Sequence, residues 1–295
     1  MRIAFFGTPE FAVPTLDALA REHEIVLVVA QPDKPSGRGM KLHVPPVAER
    51  AGELGLPLLQ PPKIRNEEFL AQVRAAAPEI GIVVAYGKIL PNALLEIPRH
   101  GFLNIHGSVL PKWRGAAPIQ RSIEAGETAT GVTIMRVDEQ LDHGAILAIE
   151  TLTIGPDEHT PQLAARLSAL GAAALARVLR DWGSLPETAQ DDAAATHAAK
   201  LDKTEGLVRW SDAAKTIYDR YRAFDPWPGV YTESMKLVEL ARAEGSGNPG
   251  TILRVEADGV VVACGEGALK LIAVQRPGKP RTPAADLARS GALLL

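Results

Sequence analysis

The stretch Phe102–Pro118, FLNIHGSVLPKWRGAAP, is the most informative segment of this chain. It opens as an apolar strand, in which alternate side chains point to the same face. Asn104 and His106 are therefore predicted to lie together on one face, at the end of this strand. The remainder combines proline, glycine, tryptophan and arginine in a pattern typical of neither helix nor strand, and ordered loops beside a strand end are frequent ligand sites.

Asn104 and His106 carry groups that can act on a carbonyl. The amide can donate to a carbonyl oxygen under attack, and the imidazole can move the proton that the attacking group loses. Asp142, which is followed by His143 and Gly144, can orient and charge that imidazole. The set indicates acyl transfer without a nucleophilic serine. A structural interpretation stays open, because single His and Asn residues near strand ends are commonly satisfied locally and Asp-x-Gly is commonly a turn.

Apolar runs alternate with amphipathic segments through the first half of the chain. Buried strands are predicted over Arg2–Phe6, Ile25–Ala30, Leu58–Gln60, Ile80–Tyr86 and Phe102–Ile105, and helices over Phe11–Glu22, Pro46–Leu54 and Glu67–Ala76. This rhythm predicts an α/β fold with a Rossmann-like, doubly wound and mostly parallel sheet. The loop Phe6–Glu10 has one glycine where a dinucleotide fingerprint needs three, which disfavours a nicotinamide or flavin oxidoreductase.

The pattern changes in the second half. The predicted elements there are strands over Thr130–Val137 and Ile146–Ile154, helices over Thr160–Trp182 and Ala213–Phe224, and short strands over Val230–Thr232, Lys236–Ala243, Gly250–Val255, Gly259–Cys264 and Ala268–Gln275. The closely spaced strands suggest a small β-barrel. We therefore predict a catalytic domain over residues 1–182, a linker over 183–203 and a C-terminal domain over 204–295.

The composition is typical of a globular chain with two domains. Its 295 residues, 46% hydrophobic and 23% charged, exceed the size at which single cores usually divide. The net charge of −3 gives no general attraction for a polyanion, so RNA would need local basic patches. The single cysteine, Cys264, excludes an internal disulfide. The N-terminus lacks a signal peptide and no run approaches about 20 apolar residues, so we expect a cytoplasmic protein without a membrane partner.

Residues 104–121, NIHGSVLPKWRGAAPIQR, resemble the core motif of the folate-dependent formyltransferases. Four other segments agree with this likeness: Phe6–Ala12, Gln31–Gly39, Val84–Pro91 and Phe224–Gly229. The resemblance covers nearly the whole chain and is strongest to the family members that act on methionyl-tRNA. The resemblance implies an OB-like C-terminal barrel, 10-formyltetrahydrofolate as donor, no metal, and formylation of methionine on initiator tRNA for translation initiation. It implies no obligate protein partner.

The resemblance also implies roles for individual residues. The matching catalytic residues are Asn104, His106 and Asp142, and the matching folate-contacting residues are Ser108, Val109, Leu110 and Pro111. Val109 stands where leucine is usual, which keeps an apolar contact with the pterin but shortens it by one carbon. Lys112 replaces the commoner arginine and keeps its charge. We expect folate binding to persist.

Basic residues predicted to contact the acceptor stem of the tRNA lie in two places. By the resemblance, the first is the loop around Arg38, with Lys34 and Lys41 close to it. The second is the most basic short run of the C-terminal domain, which contains Arg276, Lys279 and Arg281. Composition alone also allows structural interpretations: the Arg38 loop could be a surface loop with solvated charges, and the second run could be an exposed hairpin tip.

Two rival functions stay open. A formyltransferase for a small amine would share Asn104, His106 and Asp142 but would need neither the Arg38 loop nor the C-terminal barrel. A catalytically silent folate-binding or RNA-binding module would keep the fold without needing these three polar residues together, and their presence argues against it.

Overall fold

The computed structural model describes residues 1–36, 41–293 and 295. The chain divides into two compact units. The first unit comprises residues 1–118, 129–152 and 164–198, and the second comprises residues 119–128, 153–163 and 199–295. The predicted limits of the catalytic domain, linker and C-terminal domain stay a prediction.

Strands and helices alternate through the first 198 residues. In chain order they are β1 (Arg2–Gly7), α1 (Val13–Glu22), β2 (Glu24–Val29), β3 (Lys34–Ser36), β4 (Lys41–His43), α2 (Pro46–Glu53), β5 (Leu58–Leu59), α3 (Glu67–Ala76), β6 (Ile80–Val84), α4 (Asn92–Leu95), β7 (Phe102–His106), β8 (Arg114–Gly115), α5 (Pro118–Glu124), β9 (Ala129–Arg136), β10 (Ile146–Thr153), α6 (Thr160–Arg180) and β11 (His197–Ala198). Short 3-10 helices cover Glu10–Ala12 and Asp192–Ala194.

A seven-stranded sheet forms the centre of the first unit, in the order β10-β9-β7-β6-β1-β2-β5. Five of these strands, β5, β2, β1, β6 and β7, pair in parallel, and β9 runs antiparallel to β7. Ile3, Phe5 and Phe6 of β1 are fully buried, as expected for a strand with both faces covered. The predicted Rossmann-like, mostly parallel sheet is confirmed.

Helix α6 covers one face of β7. A Cβ on Gly171 would come within 2.7 Å of Ile105 Cγ2, so glycine lets the helix approach the strand closely. Because Ile105 faces the helix, alternation turns Asn104 and His106 to the opposite face. By length and composition alone α6 could cross a membrane, and half of its most apolar window is buried inside the protein.

The second unit is dominated by an antiparallel sheet. Beyond residue 199 the elements are α7 (Ala214–Ala223), β12 (Val230–Tyr231), β13 (Lys236–Ala243), β14 (Ile252–Val255), β15 (Val260–Ala263), β16 (Ala268–Gln275), β17 (Thr282–Pro283) and α8 (Ala284–Arg289), with a 3-10 helix over Lys203–Gly206. The strand order is β12-β13-β16-β15-β14, and β17 pairs with β16. The predicted C-terminal β domain is confirmed, and its closure into an OB-like barrel stays a prediction. Cys264 follows β15, and burial raises the pKa of its thiol to about 11.

Several short elements escaped the sequence prediction. In sequence, the predicted loop around Arg38 lies between β3 and β4, which pair antiparallel. Helices α5 and α8 carry no prediction, and the segment predicted as a linker contains β11, which pairs in parallel with β8. Elements this short contain too few residues to show a hydrophobic period. They are stabilised by tertiary contacts, which a local sequence pattern does not reveal.

Candidate active site

Strand β7 carries Asn104 and His106 to the carboxyl edge of the parallel sheet. Asn104 pairs with Val83 of β6 and Met135 of β9, and His106 pairs with Thr133 of β9. His106 is buried and Asn104 is half-buried. Both residues therefore occupy the strand end where the sequence predicted them.

His106 lies between two acceptors. Its Nε2 is 2.8 Å from the carbonyl oxygen of Trp113, and its Nδ1 is 3.5 Å from Asp142 Oδ2. Because a carbonyl oxygen only accepts, Nε2 carries a hydrogen, and Nδ1 is the nitrogen that can take up a second proton. Trp113 has a left-handed backbone with a φ of 63°, which non-glycine residues adopt only where the surrounding contacts enforce it.

The carboxylate of Asp142 is fixed by groups on both of its oxygens. Oδ2 accepts from the backbone N–H of Gly115 at 2.8 Å and faces His106, and Oδ1 accepts from Asn104 Nδ2 at 3.5 Å. The side chains of His106 and Asp142 are 5% and 13% exposed, so solvent screens their interaction only weakly. The three predicted catalytic residues thus lie together, joined through Asp142.

The four residues predicted to contact folate, which we call the folate tetrad, are Ser108, Val109, Leu110 and Pro111, and they differ in burial. The Ser108 hydroxyl is buried and donates to the carbonyl of Lys112 at 2.6 Å. Leu110 is also buried, whereas Val109 and Pro111 are half-buried. Val109 and Pro111 are therefore the members that offer side-chain surface to a ligand.

A segment after α6 holds the loop that contains Trp113. The backbone N–H of Trp113 donates to Thr196 Oγ1 at 2.9 Å, and the N–H of Arg114 donates to the Thr196 carbonyl at 2.9 Å. Gly115 has a φ of 126°, and a Cβ there would lie 2.6 Å from the carbonyl oxygen of Ala198. Only glycine fits this position, and its N–H is the donor to Asp142. Sequence reasoning missed this support, because two-residue strands give no periodic signal.

The antiparallel pair β3 and β4 carries two of the predicted tRNA-binding residues. Lys34 begins β3 and is exposed, and the backbone of Lys41 begins β4, opposite Ser36. Burial, together with the charge of Lys34, lowers the pKa of Lys88. Arg38 lies outside the described residues, so its role in tRNA binding stays a prediction.

The second predicted basic run follows β16. Lys279 and Arg281 are exposed, and Arg276 is half-buried. Arg281 forms an ion pair with Glu239, and the Lys279 carbonyl accepts from Gln275 Nε2 at 3.0 Å. The contact of this run with RNA stays a prediction.

Tyr86 is a further polar residue at the carboxyl edge of the sheet. Its hydroxyl is buried without a hydrogen-bond partner in the described part of the chain, and burial raises its pKa to about 12. The ring packs edge-on against Phe6, with centroids 5.5 Å apart. Its backbone carbonyl accepts from Thr8 Oγ1 at 3.1 Å and from Gln31 Nε2 at 3.2 Å, which ties the loops after β1, β2 and β6 together.

Asn104, His106 and Asp142 form a polar cluster at the end of β7, and a metal centre or a separate cavity would be the alternative functional site. Among the described residues, no group of three or more His, Cys, Asp or Glu side chains is arranged to hold a metal ion. A cavity of about 610 Å³ in the second unit is lined by residues that include Lys215, Tyr218, Arg242 and Glu266. It contains none of the predicted site residues, so the polar cluster on β7 remains the candidate active site.

An α/β sheet whose carboxyl edge gathers an amide, an imidazole and a carboxylate has the equipment of an enzyme that transfers a group at a carbonyl carbon. Two family models specify the class: formyl transferase over residues 1–179, and formyl transferase, C-terminal domain, over residues 200–291. The chain belongs to the formyl transferase family.

Relatives of nearly the same length are similar to this chain. A methionyl-tRNA formyltransferase from Deinococcus radiodurans is 50% identical over 288 residues, which cover 96% of this chain and 91% of that relative. One from Thermus thermophilus is 48% identical over 293 residues, which cover 98% of this chain and 96% of the relative. A solved structure of HypX from Aquifex aeolicus in complex with tetrahydrofolic acid shares the fold, with a TM-score of 0.63 and 19% identity over 97% of this chain and 46% of that one.

Proposed function

We propose that this chain transfers the formyl group of 10-formyltetrahydrofolate to the α-amino group of methionine on initiator tRNA. The observation that carries the proposal is the polar cluster on β7, in which His106 Nδ1 lies 3.5 Å from Asp142 Oδ2 and Asn104 contacts the same carboxylate. The acceptor is supported by the two relatives named above, whose likeness spans 96% and 98% of this chain.

A folate-type donor fits the loop next to His106. Small-molecule sites combine apolar side chains with a few placed polar groups, and Val109 and Pro111 offer half-buried apolar surface beside the polar cluster. The structural neighbour from Aquifex aeolicus was solved with tetrahydrofolic acid, which supports a folate at this fold. When bound, 10-formyltetrahydrofolate supplies the formyl group.

His106 moves the proton that the attacking amine loses. Its Nε2 is engaged by the Trp113 carbonyl at 2.8 Å, so Nδ1 is the nitrogen that exchanges the proton. Asp142, facing Nδ1, stabilises the imidazolium that results. The proton then leaves His106 for the nitrogen of the departing folate, directly or through water.

Asn104 stabilises the charge that develops on the formyl oxygen. One hydrogen of its amide is directed at Asp142 over 3.5 Å, and an amide nitrogen carries two. The second hydrogen is thus left for the oxygen. A donor fixed before the reaction needs no reorganisation when charge appears, which is why such donors contribute strongly to rate.

The proposal is tested by comparing acceptors. The purified protein is supplied with 10-formyltetrahydrofolate and, in turn, charged initiator tRNA, free methionine and an amino-sugar nucleotide, and formylated product is measured. We expect kcat/KM to be highest by far for the charged tRNA, and uncharged tRNA to give no product. A higher kcat/KM for either small amine would overturn the proposed acceptor while leaving formyl transfer intact.

A further inference from the structure

Gln190 lies 48 residues from Asp142 in the sequence, yet its side chain bonds the backbone of the Asp142 turn. Its Nε2 donates to the carbonyl of Asp142 at 3.0 Å and to the carbonyl of Gly144 at 2.8 Å. Its Oε1 accepts from Arg114 Nε at 2.9 Å. Both hydrogens and the oxygen of this amide are therefore in use within one small region of the first unit.

The turn that Gln190 holds is conformationally demanding. Asp142 has a φ of 50°, a left-handed conformation that an L residue seldom adopts without outside support. At Gly144 the chain passes so close to Arg136 that a Cβ would lie 2.1 Å from the Arg136 carbonyl oxygen. Two hydrogen bonds from a single amide, one to each side of His143, hold this turn in place.

The oxygen of the Gln190 amide accepts from Arg114, the residue that precedes Gly115 in the chain. Arg114, which bonds Gln190 Oε1, also donates to Asp192 Oδ1 at 2.8 Å. The next residue is Gly115, whose N–H donates to Asp142 Oδ2. Gln190 thus holds the backbone of Asp142 directly. It also holds Arg114, the neighbour of Gly115, whose N–H orients the Asp142 carboxylate.

We infer that Gln190 is a positioning residue for formyl transfer, which holds the Asp142 carboxylate against His106. The inference rests on the proposed function, because it requires Asp142 to act in the reaction. Misplacement of a catalytic group by about 1 Å can lower a rate by about 100-fold, so a residue that touches no substrate can still control turnover.

An amide is required at position 190 by the partners it meets. Two carbonyl oxygens need donors, and the Arg114 guanidinium needs an acceptor. Gln190→Glu keeps the size and the contact with Arg114 but replaces both donors by an oxygen that repels the carbonyls of Asp142 and Gly144. Gln190→Met keeps the length and removes all three bonds without adding charge. Gln72→Glu, on the exposed face of α3, is the matched control for the change of charge.

The experiment measures kcat and KM with 10-formyltetrahydrofolate and charged initiator tRNA for these variants, alone and combined with Asp142→Asn. We expect Gln190→Glu and Gln190→Met to lower kcat about 10- to 100-fold. We also expect the KM for the donor to stay within about twofold, and Gln72→Glu to behave as wild type. In the Asp142→Asn background, Gln190→Met should cost little further kcat, because the group it positions is already lost.

Three outcomes would overturn the inference, and they are distinguishable from one another. Full turnover by Asp142→Asn would remove the proposed catalytic role of that residue and the inference with it. Severe loss in Asp142→Asn with unchanged kcat in both Gln190 variants would sink the inference alone. Losses that multiply in the double variant would show that Gln190 affects turnover independently of Asp142. Circular dichroism and the unfolding midpoint establish that each variant is folded.

Discussion

The polar cluster on β7 and the basic run after β16 are both predicted to meet substrates, yet they are built in opposite ways. His106 and Asp142 are 5% and 13% exposed, and protein groups hold both of them. Arg281 and its partner Glu239 are 58% and 41% exposed. Buried contacts fix atoms closely enough for proton transfer, whereas exposed cations act through a field that tolerates movement and weakens with salt. Substitutions should therefore change turnover in the first region and affinity in the second.

The largest effect tests the buried side of this comparison. We expect Asn104→Ala, His106→Ala and Asp142→Ala each to lower kcat by about 10²–10³, the usual range for removing an oxyanion donor or proton-transfer group. Single-turnover formylation kinetics measure this, with His23→Ala as a control outside the cluster. Near-normal turnover in any two of the folded variants would contradict the catalytic assignment.

A second effect separates support from ligand contact within the folate tetrad. Ser108 Oγ donates to Lys112, and the Ser108 carbonyl accepts from Thr133 Oγ1 at 2.7 Å, so this residue holds the loop. We expect Ser108→Ala to lower the free energy of unfolding by about 1 kcal/mol, with the KM for folate nearly unchanged. Val109→Ala should instead raise that KM. Denaturant titration and donor KM measured on both variants decide this, and a raised KM with unchanged stability in Ser108→Ala would make Ser108 a direct contact.

A smaller effect is expected in the basic run. Replacing Arg276 and Lys279 by alanine should weaken tRNA binding and reduce the slope of log affinity against log salt by about one for each phosphate that is no longer neutralised. Folate binding should not change. Arg180→Ala, at the exposed end of α6, is the control for loss of a cation. Equal salt slopes for the wild type and the double variant would remove this run from the tRNA-binding surface.

Point substitution is a cleaner test of the C-terminal unit than truncation. Residues 119–128 and 153–163 group with the residues after 199. Arg121 Nη1 donates to Glu205 Oε2 at 2.6 Å, and Tyr218 OH donates to Asp157 Oδ1 at 2.9 Å. A chain cut near residue 200 would lose both partners, so its failure would not separate RNA binding from folding.

The sequence predicted the parts of this molecule that depend on local pattern. Alternation in β7 was enough to bring Asn104 and His106 to one face, and the alternation of strands and helices predicted the parallel sheet. Asp142 could be placed with them through the family resemblance and the Asp-x-Gly pattern. The sequence therefore predicted the candidate reacting groups and the strand, β7, that carries Asn104 and His106.

The supporting contacts could not be read in the same way. Gln190 reaches Asp142 across 48 residues, and the Gly115 N–H acts through its backbone, so neither has a side-chain motif. The tetrad member Ser108 shows the converse, because its place in the motif does not reveal that its hydroxyl points into the loop. Long-range hydrogen bonds and side-chain direction are decided by packing, and one sequence contains no local signal for them.

The smallest effect concerns His143, at the rim between buried and exposed groups. Its Nδ1 lies 2.8 Å from Asp138 Oδ2 and its Nε2 lies 3.6 Å from Asp192 Oδ2, and the hydrogen bond with Asp138, assisted by both carboxylates, raises the pKa of His143 above 6.5. Partial desolvation of the imidazole, and more weakly the charge of Arg114 beside Asp192, oppose this shift in the pKa of His143. The pKa of His143 is therefore higher in the folded state than in the unfolded state. The His143–Asp138 pair stabilises the folded protein fully below about pH 6.5, and this contribution is lost as the pH rises through the folded pKa of His143.

Comparison of the wild type with His143→Asn isolates that contribution. The unfolding midpoint is measured for both proteins from about pH 5 to about pH 9, and the difference between them should be largest at the acid end and shrink as the imidazole loses its proton. A difference that is constant with pH would mean that His143 contributes through packing alone. If formylation falls with the midpoint over the same range, the Asp138–Gly144 turn must stay ordered for Asp142 to act, and the buried cluster would then depend on a contact at its exposed rim.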